Sequence, residues 1–226
     1  MAGGALAAVL AMTGYLDRAR ESYDRVAEDY AEFVRPRFAA DAVGRGMLSA
    51  FAELVTGPVA DVGCGPGHVT AHLAELGTQA FGVDLSPGMV EIARRSYPRL
   101  RFEVGSMTAL DVPDGSLGGI LAWWSIFHVP PAVLPTVFAG FARALEPEGH
   151  VLIGFHAGNA QLQPKTAYGH PVDYDAYLLP PDHVAKLLKR AGFDIAARVE
   201  LEGSKHPQAI LLGRKRTARR SALPHR

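Results

Sequence analysis

The chain has 226 residues, 48% of them hydrophobic and 20% charged, with 23 basic and 23 acidic side chains. That length supports one domain with a substantial core, and a net charge of zero offers no field to draw nucleic acid or an anionic membrane. The single cysteine, Cys64, excludes an intramolecular disulfide and fits a reducing cytoplasm. Five lysines against eighteen arginines point to a GC-rich bacterial genome.

In chain order, residues 3–12 are apolar but lack a basic leader and are too short to span a bilayer, so 1–14 are expected to form a flexible extension. Tyr23, Val26, Ala27, Tyr30 and Val34 predict a helix by their 3.6-residue period, and Val43, Met47, Leu48, Phe51 and Leu54 predict a second. "PVADV" (58–62) is a buried strand, followed by a turn holding Gly63, Gly65 and Gly67 and a helix with Val69, Leu73 and Leu76 that Gly77 closes. "AFGVD" (80–84) is the second strand, and Ser86 caps a helix that starts at Pro87. "LRFEV" (100–104) and "GGILAWW" (118–124) are the third and fourth strands, and Leu134, Val137, Phe138, Phe141 and Leu145 mark the next helix. A strand at 150–156, a helix at 182–192 and strands at 196–201 and 209–214 follow. This alternation predicts an α/β fold with a doubly wound, mostly parallel sheet. Residues 158–180 form the one long connection without a period, a candidate functional loop. The basic stretch 215–226 has no apolar period and is expected to be a disordered tail.

In such a sheet, ligands bind beyond the carboxyl ends of the strands. Gly63, Gly65 and Gly67 lie there, ahead of a helix whose free N–H groups point to the same place. Asp84 ends the second strand about twenty residues later, where a carboxylate can accept both ribose hydroxyls; alternatively it only begins the turn into Ser86–Pro87. A dinucleotide fingerprint wants its third glycine where His68 stands, and here it falls one residue early. That counts against NAD(P) and an oxidoreductase. Asp61 would repel a pyrophosphate but welcome an ammonium. A ribose at one end and a cation at the other describe S-adenosylmethionine.

"DVGCGPG" (61–67), "GVDLSPGMVEIAR" (82–94), "FEVGSMTALDVPDGS" (102–116), "LAWWSIFHV" (121–129) and "RALEPEGHVLIGF" (143–155) together resemble the successive motifs of the class I S-adenosylmethionine-dependent methyltransferases, in particular the small-molecule branch of compact bacterial enzymes. The resemblance covers about residues 20–214. It implies a Rossmann-like sheet of seven strands with the last one antiparallel, in a single domain over 15–214 with a helical lid at 15–56. It also implies roles. Asp61 would hold the methionyl ammonium, with backbone carbonyls of Ala122 or Trp123 completing that site. Gly63 and Gly65 would let the methionine moiety lie against the backbone. Asp84 would bind the ribose, Leu85 and Met89 one face of adenine, and Met107 the other. Tyr30 would reach the cofactor and Tyr23 close over the acceptor. Two positions depart from the family: Ser106 stands where an aspartate commonly bonds adenine, and Gly118 where the fourth strand usually opens with an acid.

Transfer of a methyl group from a sulfonium requires positioning and, for some acceptors, proton removal; it needs no metal. His128 follows the fourth strand where the acceptor's proton must leave, so it is the candidate catalytic base; alternatively it caps a helix beginning near Pro130. An ordinary histidine there predicts a rate that falls below about pH 6.5. Trp123, Trp124, His156, Tyr168, His170, Tyr174 and Tyr177 suit a pocket for a small, largely apolar acceptor, although some of them can equally serve the core or pin the loop. His68 and His72 stand at i, i+4 without a third metal ligand and are expected on the surface. The expected product is S-adenosylhomocysteine, and the expected partners are a small-molecule acceptor, without nucleic acid or membrane, in a monomer or homodimer. A module that binds the cofactor without turnover is the remaining alternative.

Overall fold

Alternation along the central strand divides the molecule into two packed layers. In β4 (Leu117–Trp123), Ile120 and Ala122 face one core, and Leu121 and Trp123 face the other. The computed structural model describes residues 2–202 and 205–217. Its sheet also contains β1 (Pro58–Val62), β2 (Gln79–Asp84), β3 (Phe102–Val104), β5 (Leu145–His156), β10 (Phe193–Leu201) and β11 (Gln208–Lys215). The strand order is β10-β11-β5-β4-β1-β2-β3. All neighbours are parallel except β11, which runs antiparallel to both β5 and β10. The expected seven-stranded Rossmann-like sheet with a reversed last strand is therefore present.

On one face, α5 (Leu134–Ala144) and α6 (Pro181–Arg190) bury Leu134, Val137, Phe138, Phe141, Val184 and Leu188 completely. Truncating either phenylalanine to Ala would cost about 3–5 kcal/mol. On the other face lie α2 (Ala42–Leu54) and α3 (His68–Glu75), which contribute Leu48, Phe51 and Leu73. Within α2 the expected apolar stripe is rotated: Val43 and Leu54 are exposed, and Gly44 is buried instead. α4 (Pro87–Ser96) packs beside α1 (Ala2–Ala40) through Met89, Ile92, Ala27 and Ala31. Ser86 caps α4 as expected, its hydroxyl accepting from the Met89 N–H at 3.1 Å.

Three segments differ from the expectations. α1 begins at Ala2, so the backbone of 2–14 is helical and continuous with the helix expected after it. The 158–180 connection holds two small antiparallel hairpins, β6 (Ala160–Leu162) with β9 (Ala176–Leu178) and β7 (Thr166–Ala167) with β8 (His170–Pro171). These strands are two or three residues long, too short for a period to show. At the C-terminus, Lys215 completes β11 and donates to Leu145 O at 2.6 Å, and Arg216 bonds the end of α6; the rest of the expected tail, 218–226, lies outside the described residues. Gly118 is explained by packing. A Cβ there would lie 1.5 Å from Thr56 O, so no acid fits.

Candidate active site

β1 and β4 are neighbours, yet the chain leaves β1 toward β2 and returns later on the other side at β4. The turns that follow them diverge and open a crevice at the carboxyl ends of the strands. Gly63 forms its floor. It has φ +78, and a Cβ would lie 2.3 Å from that of Ser125, so only glycine fits. Ser125 donates its hydroxyl to Val62 O at 2.8 Å and ties the two turns together.

Gly65 donates its N–H to Asp84 Oδ2 at 2.7 Å, and Ser86 donates its N–H to Oδ1 at 2.9 Å. Asp84 thus begins the turn and also presents a carboxylate of fixed orientation, with lone pairs left for ligand hydroxyls. Burial raises its pKa, opposed by those backbone bonds. A Cβ at Gly65 would meet only Tyr30, at 3.5 Å. Gly63, not Gly65, is the position where the backbone has no room.

Asp61 is 1% exposed. Its Oδ2 accepts the Thr70 hydroxyl at 2.6 Å, whereas Oδ1 has no partner. Burial pushes its pKa up to about 7. A buried carboxylate oxygen without a donor costs free energy until a cation or donor reaches it. An ammonium group fits that requirement.

Two cavities adjoin this floor and share Tyr23, Tyr30, Gly63, Gly65 and Trp124 as walls. The one beside α4 is lined by Asp84, Leu85, Met89, Ser106, Met107, Ser125 and His128. The one beside α3 is lined by Asp61, His68, Trp123, Phe127, His156 and Tyr168. Ser106 caps the short helical turn Met107–Ala109 by accepting from Thr108 N–H at 3.2 Å, so its hydroxyl is engaged locally. Met89 is 1% exposed and serves the core between α1 and α4 as well as the cavity. Trp124 has φ +52, a conformation that costs a bulky residue about 1–3 kcal/mol, and its indole walls both cavities.

Two candidates are displaced. Ala122 lines neither cavity; it is fully buried in the core that β4 shares with α5. His170 also lines neither, because its hairpin carries it to Asp29 of α1, with Nε2 2.6 Å from Oδ2. His68 and His72 are not free surface groups. Their rings lie edge-on to Phe38 at 5.2 and 5.3 Å, since α1 passes over α3, and burial lowers the His68 pKa to about 4. Among the described residues, no three His, Cys, Asp or Glu side chains are grouped to hold a metal ion.

α1 and the 158–180 loop are clasped together over the crevice. Arg18 pairs with Asp175 at 2.9 Å, Ser22 Oγ accepts the Asp173 N–H at 2.9 Å, and Arg25 donates to Pro171 O at 2.9 Å. Tyr23 stacks on Tyr174 at 5.6 Å, and Tyr30 meets Tyr168 edge-on at 5.1 Å. Asp24 anchors α1 to α4 by accepting from Ser86 Oγ at 2.5 Å and Gly88 N–H at 2.9 Å. Nothing local in the sequence marks Asp24 or Asp175. Tyr15, Leu16, Ala19 and Arg20 also line the α4-side cavity. They continue the stripe of Tyr23 and Tyr30 toward the N-terminus, a signal that was present in the sequence.

His128 ends the short turn Ile126–His128 and does not cap α5, whose N-cap is Val133 with no side-chain bond. Its Nε2 lies 2.7 Å from the Tyr23 hydroxyl, and its Nδ1 lies 3.0 Å from Asp175 O. Burial lowers its pKa to about 4, partly offset by the Asp175 carbonyl. An acid limb set by this group therefore falls near pH 4, not 6.5.

Residues 59–149 match the family described as a methyltransferase domain. The chain is 35% identical over 130 residues to a trans-aconitate 2-methyltransferase of Methylobacterium nodulans, covering 54% of this chain and 46% of that one. It is 28% identical over 162 residues to a ubiquinone biosynthesis O-methyltransferase of Xanthomonas oryzae pv. oryzae, covering 69% and 62%. A 1,6-didemethyltoxoflavin-N1-methyltransferase of Burkholderia thailandensis, solved with S-adenosylhomocysteine bound, has the same fold at a TM-score of 0.70, with 20% identity over 91% of each chain. The chain spans about half to three fifths of the length of these curated relatives. Residues 59–149 are thus similar to a methyltransferase domain, and the sheet has the fold of solved S-adenosylmethionine-dependent methyltransferases.

Proposed function

We propose that this chain methylates a small-molecule acceptor with S-adenosylmethionine as donor. One observation carries the reading: Asp61 is buried with an unpartnered oxygen beside a glycine turn that also orients Asp84. The residues fit the cofactor at both ends. Asp61 Oδ1 would take the methionyl ammonium, helped by the main chain at Trp123, and Asp84 the ribose hydroxyls. Leu85, Met89 and Met107 would bracket the adenine, with Ser106 at its edge. When bound, the cofactor supplies an electrophilic methyl on a positively charged sulfur.

The chain's own residues position the acceptor and exclude water. Tyr23, Trp124, His156 and Tyr168 wall the space around the floor, and α1 with the 158–180 loop acts as the lid. His128 serves as the base. The named relatives are small-molecule methyltransferases, which supports an acceptor of that kind here. Zero net charge and a cysteine left unpaired support a cytoplasmic bacterial enzyme that does not act on nucleic acid. Calorimetric titration with S-adenosylmethionine, followed by a screen of acceptors for S-adenosylhomocysteine release, tests this. Absence of cofactor binding by the full chain would overturn it.

A further inference from the structure

We propose that Tyr23 is the residue that meets the acceptor and that it hands the acceptor's proton to His128. The inference rests on the methyltransferase reading above and deepens it. Geometry carries it. A carbonyl oxygen only accepts, so the 3.0 Å contact with Asp175 O places the imidazole proton on Nδ1. Nε2 then accepts the Tyr23 hydroxyl at 2.7 Å. With that lone pair engaged, His128 reaches an acceptor only through Tyr23, whose ring walls both cavities.

The step balances. As the accepting atom forms its bond to the methyl carbon, the electron pair of the breaking C–S bond stays on sulfur. The acceptor's proton passes to Tyr23 Oη while Tyr23's own proton passes to Nε2. The resulting imidazolium later returns one proton to water.

The groups facing the His128 ring are Tyr23 from α1, Tyr174 and Asp175 from the 158–180 loop, and His156 from β5. Burial outweighs them and leaves a weak base, with a pKa near 4. The relay is also braced from outside. Asp175 Oδ1 accepts from Gln161 at 2.8 Å and Gln163 at 2.7 Å, and Oδ2 from Arg18 at 2.9 Å. The proton path therefore exists only where α1, the turn after β4 and the loop come together.

The test uses the full chain with 15N-labelled histidine, S-adenosylmethionine, and simple phenols as probe acceptors. Nitrogen NMR of His128, assigned with His128→Asn, should show protonated Nδ1 and bare Nε2 from pH 5 to 8. Tyr23→Phe should keep that tautomer and shift the Nε2 resonance. S-adenosylhomocysteine release with phenols should fall about 100-fold in both Tyr23→Phe and His128→Asn, with cofactor affinity within about threefold of wild type. A protonated Nε2 in the wild type overturns the relay, whether or not any probe turns over. So does Tyr23→Phe turnover within about threefold of wild type. Failure of the wild type to bind S-adenosylmethionine at all would instead overturn the underlying methyltransferase reading.

Discussion

The two halves of the crevice are built differently. The floor around Asp61 and Asp84 rests largely on short-range bonds, Gly65 N–H to Asp84, Ser86 N–H to Asp84, and Thr70 to Asp61, with partners no more than 19 residues apart; Ser125 to Val62 and Ser86 to Asp24 add longer ties. The wall around Tyr23 and His128 comes from side chains far apart in the chain. Tyr23 meets His128 across 105 residues, and Arg18 meets Asp175 across 157. The floor is tied mainly to the sheet, with Asp24 of α1 bracing Ser86 and Gly88, whereas the Tyr23–His128 wall needs α1 and the 158–180 loop together. Binding should therefore be sensitive to the first half and turnover to the second.

The strongest way to break this contrast is Gly63→Val. The new side chain would collide with Ser125 at a left-handed backbone position, and cofactor affinity should fall more than about 100-fold, as calorimetry would show. Asp84→Ala should cost about 1.5–3 kcal/mol, or roughly ten- to hundredfold in affinity. Unchanged affinity in that variant would remove Asp84 from the ribose site.

Acid should weaken both halves of the ligand-free protein. His68, in the cavity with Asp61, and His128, against Tyr23, both have folded pKa values near 4, below their ordinary 6.5. The unfolded chain takes up their protons first, so their stabilisation is complete above pH 6.5 and is lost as pH falls toward 4. Asp61, raised to about 7, and Asp84, also raised by burial, work in the opposite direction, while His150 and His156, lowered by burial, add to the histidine side. Thermal melts should show Tm falling by several degrees between pH 6.5 and 4, and a flat profile would contradict the burial of these histidines. Smallest in effect, Arg18→Ala removes a brace from Asp175 without touching the floor. It should lower turnover about three- to tenfold and leave cofactor affinity unchanged, as steady-state kinetics beside calorimetry would check.

The same contrast decides what the sequence discloses. β1, the Gly63–Gly67 turn, β2 and capped α4 follow one another within 39 residues, and their spacing alone places Asp61 and Asp84. Tyr23, Tyr30 and His128 could be placed near the opening, but not the bond between Tyr23 and His128, because nothing local records a pairing across 105 residues. For the same reason Asp24 and Asp175 left no mark, and His170 was misplaced: its hairpin of two-residue strands decides where it points. Burial altered the chemistry as well. Composition shows a histidine at 128, but only packing shows that its pKa drops to about 4.

Asp61 supplies the most direct test of the account. Its pKa near 7 means that the free protein holds a proton there at pH 6, and an ammonium placed against Oδ1 must displace it. Titration with S-adenosylmethionine at pH 6 in two buffers of different ionisation enthalpy measures that proton. The account predicts one site with release of close to one proton per cofactor, lost in Asp61→Asn. Binding whose heat is the same in both buffers, or no binding at all, would contradict it.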